Sequence, residues 1–384
     1  MKKKNKKKLK LTLIIAFLIG IVSGVFLVRL FEPAIVALAF TGNPSINAAV
    51  SVISFILSLY VTFVLHIIIH EAGHLVFGLI SGYKFNSFRI FNFMILKEEG
   101  RLVTKRLSIV GTGGQCLMSP PEPVNGRIPV VLYNLGGSLM NLILTLIALP
   151  FAILFPSVPF LSLFLFSFIF CGLITALING IPISSDTINN DGHNALSLHR
   201  DPDALGSFAI QLKTNDMISR GVRLKDMPDE WFTLPTDEQM KNSMHATVAV
   251  FACNRLMDEG RFSEADELME RLLAMESGII GVHRQLMICD RIFCEIVLRG
   301  DAEKVEAMRD KQYLAFAKTM KSFPSIIRTE YVYALLVKRS AEEAEKKKAE
   351  FDKMAVKYPY PSDIESEREL LLLAEKIASE RVNL

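Results

Sequence analysis

The sequence predicts an all-α membrane core of about four transmembrane helices with a small β-hairpin or sheet insertion, followed by a soluble α-helical domain of tetratricopeptide-like hairpins. Three observations predict it. Apolar residues make up 51% of the 384, and they crowd into long uncharged runs in the first half, whereas the last third is rich in Glu, Lys and Arg. Between the second and third apolar runs, polar and apolar residues alternate as they do in strands. From residue 236 onward, helical periodicity dominates. The chain divides accordingly into a basic N-terminus with a first membrane helix (1–47), a membrane core (48–195), a membrane-proximal linker (196–235) and a helical repeat-like domain (236–384).

A membrane-spanning helix needs about 20 apolar residues. The runs at 11–30, 48–69, 129–154 and 160–181 meet that requirement. A cleaved signal peptide ending at Ala37-Leu38-Ala39 is the rival reading of the first run, whose apolar stretch is long for a signal. Positive residues stay on the cytoplasmic side. The segment 83–127 holds Lys84, Arg89, Lys97, Arg101, Lys105, Arg106 and Arg127, while the 155–159 connection holds no charge. The N-terminus, the 83–127 segment and everything after Ile183 are therefore expected in the cytoplasm of a multi-pass protein embedded in the lipid bilayer, with a bacterial plasma membrane as the expected location. A net charge of +3 carries no nucleic-acid footprint. The five cysteines (Cys116, Cys171, Cys253, Cys289 and Cys294) form no CxxC pair and read as reduced thiols.

The second run continues into His66-Ile-Ile-Ile-His70-Glu71-Ala72-Gly73-His74. Helix positions four apart share a face, so His70 and His74 can point two imidazole nitrogens at one metal ion. Glu71 falls beside that face, where a carboxylate can take a proton from a water on the metal. Two histidines and a glutamate can also occur on a helix by chance. Ionisable side chains inside an apolar segment are costly, however, and mark function by default. His66 lies one turn earlier and reads as a packing or carbonyl-bonded residue rather than a ligand.

A catalytic zinc site usually takes three protein ligands and keeps one position open. Past the fourth run lies Asn189-Asn190-Asp191-Gly192-His193, preceded by Asn179 and Pro182, which break the helix. An ordinary Asn-Asp-Gly turn is the bland alternative, and spacing alone does not separate the two. The need for a third ligand favours Asp191, with Asp186 as a competitor.

These residues resemble the site-2 protease (M50) family of intramembrane zinc metalloproteases. Three features carry the resemblance over about 51–194: the His70–His74 motif in a membrane helix, Asn179-x-x-Pro182 leading into Asp191-Gly192, and Gly137-Ser138-Leu139-Met140-Asn141 in the helix between them. It implies a three-helix core that cuts peptide bonds in or near membranes, acting on single-pass membrane proteins or signal-peptide remnants. By the same resemblance His70, His74 and Asp191 hold Zn2+, Glu71 is the general base, and Asn141 contacts substrate or the developing oxyanion. Ser138 stands where the family pattern has proline, and no PDZ-like region interrupts the core. An inactive membrane-peptide-binding relative and a metal transporter or sensor are the other function classes.

The 83–127 segment, with its alternating Ser87-Phe-Arg-Ile-Phe-Asn-Phe-Met-Ile, reads as a membrane-associated sheet that pairs with an extended substrate or serves as a lid. Trp231 and Phe232 are expected at the membrane interface. Thr236-Asp-Glu-Gln239 reads as a capping box opening the helical domain. Turns at Gly260, Gly300 and Ser340 suggest successive helical hairpins, whose concave surfaces suit a protein partner. His245 and His283 read as ordinary structural residues.

Overall fold

The computed structural model describes residue 32 and residues 41–98, 100–109, 112–124, 127–183, 189–201 and 203–382. The expected first span at 11–30, residues 37–39 and Asp186 lie outside the described residues. The chain forms two compact units, Met1–His70 with Ser138–Leu177, and Glu71–Gly137 with Ile178–Leu384.

The first unit is built from three helices: α1 (Pro44–Ile80) as far as His70, α2 (Val130–Leu154) from Ser138, and α3 (Pro159–Gly180) as far as Leu177. Among the described residues these three are the helices long and apolar enough to cross a membrane. Their burial is inverted relative to a water-soluble helix. On α1, Thr62 and His66 are 0% exposed while Ile53 is 65% and Tyr60 66% exposed. Ser58, Thr62, His66, His70 and His74 recur every fourth residue and so form one polar stripe. In a bilayer such groups must pair with protein. Ser58 Oγ accordingly donates to the Leu163 carbonyl at 3.3 Å and Thr62 Oγ1 to the Ser58 carbonyl at 2.7 Å.

The second unit contains a four-stranded antiparallel sheet: β1 (Lys84–Ile90), β2 (Phe93–Glu98), β3 (Arg101–Arg106) and β4 (Gly114–Ser119), in the order β3-β2-β1-β4. The alternation across Ser87–Ile95 belongs to two strands rather than one. They are joined by a tight turn in which Phe91 adopts φ 52°. Three polar residues of β1, Asn86, Ser87 and Arg89, are buried.

Beyond the sheet follow α4 (Asp191–Arg200), α5 (Ala204–Ser219), α6 (Ser243–Asp258), α7 (Phe262–Ala274) and α8 (Gly281–Leu298). The chain ends in α9 (Ala302–Met308), α10 (Lys311–Thr319), α11 (Pro324–Val332), α12 (Ala341–Ala355) and α13 (Pro361–Val382). Gly260 (φ 73°) and Gly300 (φ 68°) close helix–helix turns in the left-handed conformation glycine favours. Met94, Leu96 and Leu107 from the sheet region share a core with Phe293, Tyr331 and Phe351. The Arg106 N–H also donates to the Lys357 carbonyl at 3.1 Å, tying the sheet to the helical domain.

Two expectations are corrected here. The capping box forms, since the Thr236 N–H donates to Gln239 Oε1 at 3.0 Å, but it opens only a 3-10 turn. The helix proper starts at Ser243 under an Asn242 cap, whose side chain accepts from the Met244 N–H. Phe232 packs in a core with Met227 and Ala252 rather than at a membrane interface, and the Arg255 guanidinium lies over its ring at 4.7 Å.

Candidate active site

The continuous helix α1 carries His70 and His74 one turn apart on the same face, both buried. His74 is fixed from both sides. Its Nδ1 lies 2.8 Å from the Tyr133 carbonyl, which only accepts, so that nitrogen carries the proton. Its Nε2 lies 3.3 Å from Asp191 Oδ2. The Tyr133 hydroxyl in turn donates to the Cys116 carbonyl of β4 at 2.9 Å, and its ring stacks on Tyr83 at 4.6 Å.

Asn190 is what presents Asp191. Its Oδ1 accepts from the backbone N–H groups of His193 (2.9 Å) and Ile183 (3.0 Å), capping α4. Its Nδ2 donates to the carbonyls of Ile178 and Ile181 at 2.6 Å each, lashing the start of α4 to the end of α3. Gly192 abuts the Gly180 backbone so closely that a Cβ there would lie 2.7 Å from the Gly180 carbonyl carbon. Asp191 thus opens a helix, where the dipole favours a negative charge.

Glu71 is buried, and the start of β4 lies against it. A Cβ on Gly114 would come within 2.5 Å of Glu71 Cγ and Oε1. Arg89 holds this strand end in place: its guanidinium donates to the Phe91 carbonyl (2.6 Å), Thr112 Oγ1 (2.5 Å) and the Gly114 carbonyl (3.2 Å). Burial lowers the Arg89 pKa, and the negative charge of Glu71 opposes that shift. The close approach of α1 and α2 is built at Gly136, where a Cβ would meet the Gly73 carbonyl oxygen at 2.7 Å.

Asn141 is 0% exposed and lies between His66 and His70, with its Oδ1 3.0 Å from His66 Nδ1 and its Nδ2 3.3 Å from His70 Nδ1. His66 meets the Phe168 carbonyl at 2.8 Å, as a carbonyl-bonded residue should. The cysteines offer no nucleophile: burial pushes the Cys116 thiol up, and it pushes Cys253 and Cys289 up to about 12. His245 is buried against Ser207 Oγ at 2.8 Å, a structural contact.

His74 and Asp191 each offer one ligand atom, and His70 lies one turn before His74 on the same face of α1. The donor set fits zinc on two grounds. In a tetrahedral site with bonds of about 2.0–2.1 Å, ligand atoms stand about 3.3–3.4 Å apart, which is the separation of His74 Nε2 and Asp191 Oδ2. With its proton on Nδ1, His74 also turns the Nε2 lone pair on a carboxylate oxygen. Only a cation or a proton between them makes that contact favourable.

Reading the sequence alone missed Asn190, Tyr133, Gly114 and Arg89. The doubled asparagine before Asp191 and the Gly-Thr-Gly-Gly run before β4 were signals for two of them. Nothing in the sequence pointed to Tyr133, whose contribution is a backbone carbonyl. No curated protein and no solved structure matches the chain. The family model for peptidase family M50 matches residues 54–248, just over half of the chain and including every residue of the site above. The chain belongs to peptidase family M50, the site-2 proteases.

Proposed function

We propose that the chain is a zinc-dependent intramembrane endopeptidase that hydrolyses peptide bonds in or near the membrane segments of single-pass proteins or signal-peptide remnants. The observation that carries the reading is the His74–Asp191 pair, at the edge length of a tetrahedral zinc site, on a helix that also bears His70 and Glu71. His70, His74 and Asp191 are the proposed ligands. Zinc held by these three residues would supply Lewis-acid chemistry, acidifying a water and polarising the scissile carbonyl. Glu71 would accept a proton from the attacking water and pass it to the leaving amine. Gly114 leaves the Glu71 carboxylate room beside β4, and the Tyr133 carbonyl keeps His74 in the tautomer that offers Nε2.

A peptide bond inside a helix is shielded, so the substrate has to be extended at the cut. β4 is an outer strand of the sheet and begins beside Glu71, which suits pairing with an extended substrate segment. The tetratricopeptide-like reading of the helical domain, its cytoplasmic side and its role in holding a protein partner belong to the same proposal. A transporter reading is disfavoured because the polar stripe on α1 is closed by protein acceptors such as the Leu163 and Phe168 carbonyls.

The test compares wild type with Glu71→Gln in native membranes. Bound zinc is measured by elemental analysis and captured membrane peptides by mass spectrometry. Equal zinc, with a few single-pass proteins retained intact by the variant and cut by wild type, is the expected result. Identical intact captures in both forms would leave a peptide-binding protein instead.

A further inference from the structure

His66, His70 and Asn141 belong to the same compact unit and form a buried chain of side chains. One end of the chain is fixed. His66 Nε2 lies 2.8 Å from the Phe168 carbonyl, an acceptor only, so Nε2 carries a proton.

The remaining protons decide how the Asn141 amide must point. Its Oδ1 faces His66 Nδ1 at 3.0 Å and its Nδ2 faces His70 Nδ1 at 3.3 Å. In that orientation His66 needs a second proton on Nδ1, making it a buried cation among neutral partners, which is costly. His70 would have to accept at Nδ1 and carry its own proton on Nε2, which closes that nitrogen to a metal. Turned over, the amide suits every atom. Nδ2 then donates to His66 Nδ1, and Oδ1 accepts from the Nδ1–H of His70. Both rings are neutral and the His70 Nε2 bears its lone pair. The two ends of an amide have the same shape, so the turn disturbs no packing.

We infer that His66 and Asn141 are positioning residues for the metal. His66, locked by the Phe168 carbonyl, orients the Asn141 amide, and the amide oxygen holds His70 in the tautomer that offers Nε2. This rests on the zinc reading above. It also differs from the substrate or oxyanion contact that the family resemblance implies for Asn141. His74 receives the same tautomer from the Tyr133 carbonyl, so the two proposed histidine ligands are prepared alike by different acceptors.

Gly172 lies against both the Thr145 hydroxyl and the His66 ring: a Cβ there would collide with Thr145 Oγ1 and would come within 2.6 Å of His66 Cε1 and 2.9 Å of Nε2. The Phe168 ring packs on the imidazole with centroids 4.2 Å apart.

The test uses the full chain in detergent. Zinc affinity is read by competition with a chromophoric chelator, and apo-protein stability by thermal unfolding. Outer partners of metal-bound histidines typically account for about 10–100-fold in affinity. Asn141→Leu and His66→Leu should each weaken zinc binding by about that factor. Asn141→Asp keeps an acceptor for His70 and should bind zinc at least as tightly as wild type. Wild-type affinity in either leucine variant, or Asn141→Asp weakened as far as Asn141→Leu, overturns the inference. So does a lowered apo melting temperature with unchanged affinity, the mark of a packing role. Should the leucine variants fail to fold, Asn141→Asp beside wild type decides: zinc binding at least as tight supports the acceptor role, and binding weakened by about tenfold or more overturns it. A wild type that binds no zinc would instead remove the metal site itself.

Discussion

His74 Nε2 stands 3.3 Å from Asp191 Oδ2 while the opposite nitrogen of the same ring donates to the Tyr133 carbonyl at 2.8 Å. The contact joins residues 117 positions apart (191 minus 74) and does so with two groups that both present electron pairs. Asp191→Ala should therefore lose its zinc while the sheet and the helical domain remain folded. Elemental analysis of purified protein reads this directly, with about one zinc per wild-type chain expected. Chelation of wild type should abolish cleavage and zinc should restore it. An Asp191→Ala protein that keeps a full complement of zinc would move the third ligand elsewhere.

Gly114 offers a way to disturb Glu71 without touching it. A methyl group there would lie 2.5 Å from the Glu71 carboxylate arm, closer than any real contact, so the carboxylate must move. The glycine is not in a left-handed conformation, so alanine costs nothing in the backbone. Gly114→Ala should keep zinc and stability and lose turnover by roughly 100-fold or more, the usual share of a positioned proton acceptor. Steady-state cleavage beside zinc content distinguishes this from a folding defect. Undiminished turnover would mean that Glu71 works in another rotamer.

The parts of this architecture that sequence revealed are those governed by local chemistry. The spans at 129–154 and 160–181 match α2 and α3 within a residue or two, because bilayer-length apolar runs leave few alternatives. The four-residue spacing of His70 and His74 fixes their shared face before any packing is known. What stayed hidden depends on long-range pairing. β4 lacks a clear alternation, and its place next to β1 comes from the fold rather than from its own residues. Asn190 looked like part of a turn, yet its side chain makes four hydrogen bonds to backbone, to Ile178, Ile181, Ile183 and His193. The family resemblance points Asn141 at the substrate or oxyanion, and the helix spacing reads His66 as a packing or carbonyl-bonded residue; only their meeting across helices gives them a common task.

Arg89 is likewise hidden from a local reading of its strand. As a charge in an alternating strand it reads as solvent-facing, but it is 1% exposed and holds three acceptors. Arg89→Met fills similar volume and leaves Thr112 and two carbonyls without their donor. The three acceptors are part-buried, so each lost hydrogen bond costs about 0.5–1.5 kcal/mol and a total loss of about 1.5–4.5 kcal/mol is expected. Denaturant unfolding in detergent micelles measures it. Cleavage should fall as well, because the Gly114 end of β4 is no longer held beside Glu71. A variant as stable and active as wild type would show that the strand end is fixed without the guanidinium.

The helical domain should respond to pH through Asp363. Burial, reinforced by the nearby negative charges of Glu367 and Asp258, raises its carboxyl to about 7, while the Tyr358 hydroxyl, donating at 3.5 Å, opposes the shift. A carboxyl that binds its proton more tightly in the folded chain than in the unfolded one makes the fold less stable as pH rises between the two pKa values. The window here runs from about 4, the unfolded value, to about 7. Wild type should therefore lose thermal stability across that interval, and Asp363→Asn should lose less of it. The variant is expected to be the more stable protein at pH 8, with the difference shrinking towards pH 4. Melting curves of full-length protein at a series of pH values measure this, and parallel curves for the two proteins would show that Asp363 is ionised in the folded state throughout.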